Sequence, residues 1–82
     1  MTVKELQEEL KKMSIPRTLY CINGSVKSDV YVLREVYKRW EYFYMDERGN
    51  ENDNKWFDNE DDACAYFLNV LKKECSYRKR YT

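Results

Sequence analysis

Apolar residues near the start of the chain recur at helical spacing. Val3, Leu6, Leu10 and Met13 are separated by three, four and three positions, with Lys, Glu and Gln between them. This narrow stripe predicts an amphipathic helix over about 3–13. Thr2 followed by Glu5 provides a capping box at its start. Pro16 ends it, because proline cannot donate to the helix ladder and biases the residue before it away from the α region.

Beyond Pro16 the pattern shortens to a period of two. Residues 18–22 are β-branched and aromatic, and Asn23-Gly24 follows as a turn signal, which predicts a hairpin with a loop reaching Ser28. A second strand is expected over 29–37, with Val30, Val32, Arg34 and Val36 on one face and Tyr31, Leu33, Glu35 and Tyr37 on the other. Both faces mix apolar and charged residues, so alternation leaves open which one meets the helices. Lys38-Arg39 makes a short polar turn without glycine.

The next strand, 40–45, sets Trp40, Tyr42 and Tyr44 against Glu41, Phe43 and Met45. Large apolar bodies on both faces assign it to the middle of a sheet. It runs into a polar turn, Asp46-Glu47-Arg48-Gly49-Asn50, where Gly49 can take positive φ. Residues 50–54 are the most polar of the chain and read as an exposed loop. Lys55-Trp56-Phe57 reads as a short return that pairs as a third or fourth strand.

Asp58 or Asn59 then caps a second helix over about 59–74. Its stripe is Cys64, Phe67, Leu68, Leu71 and Cys75. Glu60, Asp61 and Asp62 suit the positive end of the helix dipole, and Lys72-Lys73 the negative end. The expected fold class is α+β: an antiparallel three- to four-stranded meander with an N-terminal and a C-terminal helix, in the order α-β-β-β-(β)-α. One domain over 1–75 is expected, followed by a basic flexible tail over 76–82.

Composition narrows the chemistry. Fifteen basic and fifteen acidic residues balance over 82 positions, so net charge points to neither nucleic acid nor membrane. The charge is nevertheless segregated. Residues 46–62 hold eight acidic and two basic groups, and residues 63–82 hold five basic and one acidic. An acidic block of this kind reads either as a solvated loop and helix start or as a surface for a basic protein partner.

Histidine is absent, which removes the usual general acid–base group at neutral pH. No nucleophile motif or Gly-rich phosphate loop appears, so no catalytic residues, cofactor or metal are expected. Cys21, Cys64 and Cys75 are widely spaced and form no zinc pattern. With no signal peptide or apolar run of membrane length, free thiols fit a reducing cytoplasm. Cys64 is expected in the core and Cys75 half-exposed.

The order α-β-β-β-α is also that of the double-stranded-RNA-binding domain, which grips phosphates at the start of its second helix. Here that place reads Asn59-Glu60-Asp61-Asp62, which repels phosphate. Tyr20, Tyr31, Tyr42 and Tyr44 are too many for the core of so small a domain, so some are expected on the exposed sheet face, where they either simply cover the sheet or suit protein binding.

Ser14-Ile15-Pro16, Tyr20-Cys21-Ile22-Asn23-Gly24, Trp40-Glu41-Tyr42-Phe43-Tyr44, Glu47-Arg48-Gly49 and the stretch from Phe57 to Phe67 stand in a recognisable order. That order resembles small bacterial immunity proteins encoded beside polymorphic or contact-dependent toxins. In those, an N-terminal helix precedes a Tyr-x-Leu-x-Gly strand-turn, a Trp-Glu-x-x-Tyr strand, a Glu-Arg-Gly turn and a Phe-x-x-Glu-x-x-Ala-Cys helix. The likeness covers residues 14–71. It departs in the single Gly24, where two glycines are usual, and in the acidic stretch 50–54.

The resemblance implies a non-enzymatic cytoplasmic protein that binds and blocks a cognate toxin, with a nuclease as one candidate partner. Trp40, Glu41, Tyr44, Glu47, Arg48 and Gly49 match its pattern, and Arg48 is expected to bridge to Glu60 or Asp61. The toxin-facing surface is expected at Tyr42, Tyr44, Asp46, Glu47, Glu51, Asp53, Asp61 and Asp62. The alternative is a small adaptor or regulatory protein using the same face. Nucleic acid and membrane are not expected as partners, and an edge strand permits either a monomer or a homodimer.

Overall fold

A computed structural model describes residues 1–24 and 26–79, with the backbone alone for 75–79. The elements run α1 (Val3–Lys12), a single 3-10 turn (Arg17–Leu19), β1 (Tyr20–Ile22), β2 (Val30–Val36), β3 (Arg39–Met45), β4 (Glu51–Phe57) and α2 (Glu60–Lys79). The strands form one sheet in the order β1-β2-β3-β4, so the layout is the expected α+β arrangement with β3 in its interior.

α1 begins on the expected capping box. The Glu5 N–H donates to Thr2 Oγ1 at 3.2 Å, and the Thr2 N–H donates to Glu5 Oε1 at 3.3 Å. The helix stops before Pro16 is reached. Ser14 takes φ 57°, its N–H bonds the Lys11 carbonyl, and the Ile15 N–H bonds the Leu10 carbonyl. These two bonds make a Schellman cap, with buried Ile15 as its apolar contact.

The expected hairpin between the first two strands does not form, because β1 pairs β2 in parallel, Tyr20 opposite Tyr31 and Ile22 opposite Leu33. Asn23 and Asp29 both adopt positive φ, 53° and 58°. Between them the chain turns back and brings Val26 against Val30, Val32 and Phe43. Asn23 pins the reversal, its N–H donating to the Leu33 carbonyl at 2.9 Å and its Oδ1 accepting from the Glu35 N–H at 2.8 Å. Asn23-Gly24 is thus a turn, as its residues require, but it opens a crossover.

β2 and β3 form a tight hairpin in which Val36 opposes Arg39. Its two-residue loop is Tyr37-Lys38, one position earlier than expected, with φ of 51° and 67°. Positive φ at both central residues is the type I′ geometry that suits strand twist. A bulky tyrosine there is uncommon.

The helices cover one face of the sheet. Leu6, Leu10, Ile15, Leu33, Trp40, Phe67 and Leu71 pack there with Tyr31 and Tyr42. The tyrosine-bearing face is therefore the inner one, contrary to the expectation of an exposed tyrosine surface. Tyr31 and Tyr42 are buried, while Tyr20 and Tyr44 are half-buried. The Tyr42 ring lies 5.1 Å from Tyr66 and 6.0 Å from Phe67, both at steep angles that place ring edges on ring faces.

The outer face carries Val30, Val32 and Phe43, covered by Val26, Cys21 and Met45. Beside them Glu41 is buried at 5% exposure. Arg34, its cross-strand partner, donates through Nε to Glu41 Oε1 at 2.8 Å, and its guanidinium stands 5.0 Å over the Phe43 ring. Asn54 Nδ2 donates to the other Glu41 oxygen at 3.4 Å.

α2 continues to Lys79, five residues past the expected end, so residues 76–79 are helical rather than frayed. The expected tail beyond them lies outside the described residues. Cys64 is fully buried, as expected, and the Cys75 side chain lies outside the described residues.

Candidate protein-binding edge

β4 is the largest departure from the sequence pattern. Residues 51–54 of the stretch expected as a loop join Lys55-Trp56-Phe57 in one seven-residue strand at the edge of the sheet. Asparagine and aspartate have little strand preference of their own. What fixes the strand is its partner β3 and the turn that aims the chain back along it.

That turn is built on Asp46. Its backbone N–H bonds the Asn50 carbonyl at 3.0 Å, and its carbonyl accepts from the Gly49 N–H at 3.1 Å. Gly49 sits at φ 84°, the positive value anticipated for it. The Asp46 carboxylate accepts from the Arg48 N–H at 2.9 Å, the Asn50 N–H at 2.8 Å and Asn52 Nδ2 at 3.2 Å. These donors, the Asn50 N–H foremost, hold its carboxyl below the usual carboxylate range. Asp46 is therefore committed to the turn, and Glu47 is the carboxylate at the tip that stays exposed.

Along β4 the register is Met45 opposite Glu51, Tyr44 opposite Asn52, then Tyr42 opposite Lys55. Asp53 and Asn54 together oppose Phe43, a β-bulge with Asp53 at φ 58°. Every residue from Glu51 to Trp56 is exposed. Trp56 is 45% exposed, with the Arg39 guanidinium 5.4 Å over its ring. Arg39 Nε also reaches Asp58 at 3.2 Å, closing the far end of the edge.

On the inner side, a cleft of about 310 Å³ opens between β4 and α2, with Tyr31, Tyr42 and Tyr44 beneath and Asp53, Lys55 and Lys73 at its mouth. Burial raises the Tyr42 phenol far above its ordinary range. Neighbouring Tyr66 and Tyr31 add to the effect, and Asp53 and Glu74 add less. Tyr44 donates its hydroxyl to the Asp29 carboxylate and stacks on Tyr31 at 4.9 Å.

The expected site residues therefore divide. Glu47, Glu51 and Asp53 lie exposed along the turn and edge. Asp46 and Tyr44 flank them but are held by internal hydrogen bonds. Tyr42 is a core residue at 3% exposure, which corrects its expected place on a partner-facing surface.

Asp61 and Asp62 sit at the start of α2, beyond the opposite end of β4 from Glu47, and each has an architectural role. Asn59 caps the helix, its Oδ1 accepting from the Asp62 N–H at 2.8 Å, and the Asp62 carboxylate steadies the cap by accepting from Asn59 Nδ2 at 3.1 Å. Asp61 pairs with the Met1 ammonium. Glu60 accepts from the Val3 N–H at 2.7 Å, which ties the two helix starts together. The expected bridge from Arg48 to Glu60 or Asp61 is thereby corrected: both carboxylates are engaged by the start of the chain.

Sequence reasoning missed Asn52 and Asn54 as strand residues, and it placed Trp56 in the return strand without singling it out for the binding edge. The available signal was the seven-residue reach of β3 past a tight turn, which requires a partner of similar length. Among the described residues, no three acidic or sulfur side chains are placed to hold a metal ion, and no helix is long and apolar enough to cross a membrane. Comparison with family models, curated proteins and solved structures returned no match.

Proposed function

We propose that this chain is a non-enzymatic protein-binding domain that neutralises a cognate bacterial protein toxin in the cytoplasm, as the resemblance to immunity proteins implies. The observation that carries the reading is the long β4 edge, exposed from Glu51 to Trp56, with the exposed carboxylates of Glu47, Glu51 and Asp53 along and beside it and no cation against them among the described ion pairs. A basic surface on the toxin, such as the substrate groove of a nuclease, is electrostatically complementary to it. Charges of this kind raise the encounter rate and select the partner more than they add affinity. Protein pairs of this class commonly bury about 800 Å² on each partner, about 20–30 residues a side. The exposed edge, turn and Trp56 form the centre of such a patch.

The test is affinity capture from the native host at moderate salt, followed by growth rescue with the captured partner. One stoichiometric partner whose toxicity the chain relieves is the expected result. Charge reversal at Glu47, Glu51 and Asp53 should weaken capture while leaving the melting temperature within a few degrees. Capture that is indifferent to those reversals would refute the acidic edge as the binding surface, and a non-toxic host partner would favour an adaptor role.

A further inference from the structure

The β4 edge has a geometry more specific than an acidic patch. Backbone groups of successive strand residues point alternately to the two neighbouring strands. The Asp46–Asn50 bond and the Tyr44–Asn52 pairing place the even-numbered residues of β3 toward β4. The two-residue hairpin closed by Val36 and Arg39 correspondingly turns the odd-numbered ones toward β2. On β4, Asn52, Lys55 and Phe57 therefore bond inward, and the N–H and C=O of Glu51 and Trp56 face away from the sheet. A seven-residue strand presents an edge about 20 Å long.

We infer that β4 docks an extended, lysine- or arginine-rich segment of the partner by strand addition. The inference rests on the toxin-binding reading and names the part of the partner that is held. Main-chain bonds to Glu51 and Trp56 would align the segment, and side chains at alternate positions would set its specificity. Glu51 and Trp56 share the outer face of the strand. There the Glu51 carboxylate attracts a cation at one end of the segment, and about 16 Å along the strand the exposed part of the Trp56 indole, which already holds Arg39 over its ring, packs a side chain near the other end. The bulge at Asp53–Asn54 interrupts the edge, a device that discourages indiscriminate pairing. A second copy of this chain is the less suitable occupant, because it would bring the exposed carboxylates Glu47, Glu51 and Asp53 of one copy up against those of the other.

A peptide of alternating lysine and threonine, as long as β4, tests this with the full chain. Its glutamate counterpart and a version N-methylated at alternate residues serve as controls. Amide exchange by NMR is the readout. At a peptide concentration about ten times its Kd, exchange at Glu51 and Trp56 should slow about tenfold. The N-methylated peptide should bind far more weakly and give no such protection, and the glutamate peptide should not bind.

Glu51→Pro removes the outward donor at the first strand position, where proline is tolerated. It should weaken binding more than Glu51→Gln does. Equal binding of the parent and N-methylated peptides, without protection at Glu51 and Trp56, would overturn strand addition. So would a chain that pairs with itself through β4. Either result leaves the toxin-binding reading to stand or fall by affinity capture, which does not depend on the mode of contact.

Discussion

Removing the Arg34 side chain should destabilise the fold more than its partly exposed position suggests. Glu41 is almost wholly covered, and Arg34 supplies its shortest hydrogen bond, 2.8 Å, against 3.4 Å from Asn54. In Arg34→Ala, a charge-assisted hydrogen bond worth about 1.5–3 kcal/mol is lost. The stacking over Phe43 adds about 0.5–1 kcal/mol. Side-chain exposure of 40% at Arg34 lets water reach the vacated space and moderates both terms. The expected net loss is about 2 kcal/mol. For a domain of this size that lowers Tm by about 8–16 °C.

Thermal circular dichroism and urea unfolding would measure it, with an unchanged m-value showing that both states keep their compactness. Arg34→Lys should recover only part of the loss, because an ammonium has neither the planar fork nor the stacking face. The double variant Arg34→Met/Glu41→Leu should be much closer to the parent than Arg34→Ala, since an apolar pair leaves no charge uncompensated. An Arg34→Ala loss below about 0.5 kcal/mol, the scale of an ordinary surface change, would refute the argument that Glu41 depends on Arg34.

Four further outcomes follow from local geometry. Replacing Tyr37-Lys38 by Asn-Gly, the preferred type I′ pair, should raise stability by about 1–2 kcal/mol in urea unfolding, and Ser14→Gly at the α1 cap by about 0.5–1 kcal/mol. The Asp46 carboxyl is depressed in the folded chain, so its contribution is complete above the ordinary carboxylate pKa and is lost as pH falls through the folded value. Amide exchange at Arg48 and Asn50, corrected for its intrinsic pH dependence, should therefore speed up in acid, and Asp46→Ala should abolish that dependence. In a Cys75→Ser background, Cys21 should react with a thiol reagent at mildly alkaline pH, while Cys64, fully covered and pushed up by burial to about 11, should react only on unfolding.

The helices were legible because their evidence is local. The 3-4-3 spacing of Val3, Leu6, Leu10 and Met13 and the Thr2/Glu5 pair appear as α1 and its cap. The aromatic alternation of β3 likewise foretold an interior strand. The first sheet pairing was not legible, since Asn23-Gly24 satisfies a hairpin and a crossover equally well. The choice is made by the outer face, where Val30, Val32 and Phe43 need Val26 to cover them. The same cluster resolves which face meets the helices. Valine and tyrosine are both credible core residues, and only the volume of Tyr31 and Tyr42 filling the space beneath α2 decides between them.

The acidic block shows why charge counted along a chain is a poor map of a site. Within residues 46–62, eight carboxylates share one stretch of sequence. Four are bound into the architecture: Asp46 in its turn, Glu60 and Asp61 against the start of the chain, and Asp62 in the α2 cap. Asp58 lies between the two groups, exposed but paired with Arg39. That leaves Glu47, Glu51 and Asp53 as exposed carboxylates with no cation against them among the described ion pairs. All three sit on one turn and one edge strand. Alanine at Asp62, which keeps the capped N–H but loses the contact to Asn59 and a favourable charge at the helix start, should therefore cost about 0.3–1 kcal/mol of stability and little binding. Charge reversal at Glu51 should do the opposite. If both substitutions changed binding equally at matched stability, the partner would have to span both ends of the sheet, and β4 would no longer be its centre.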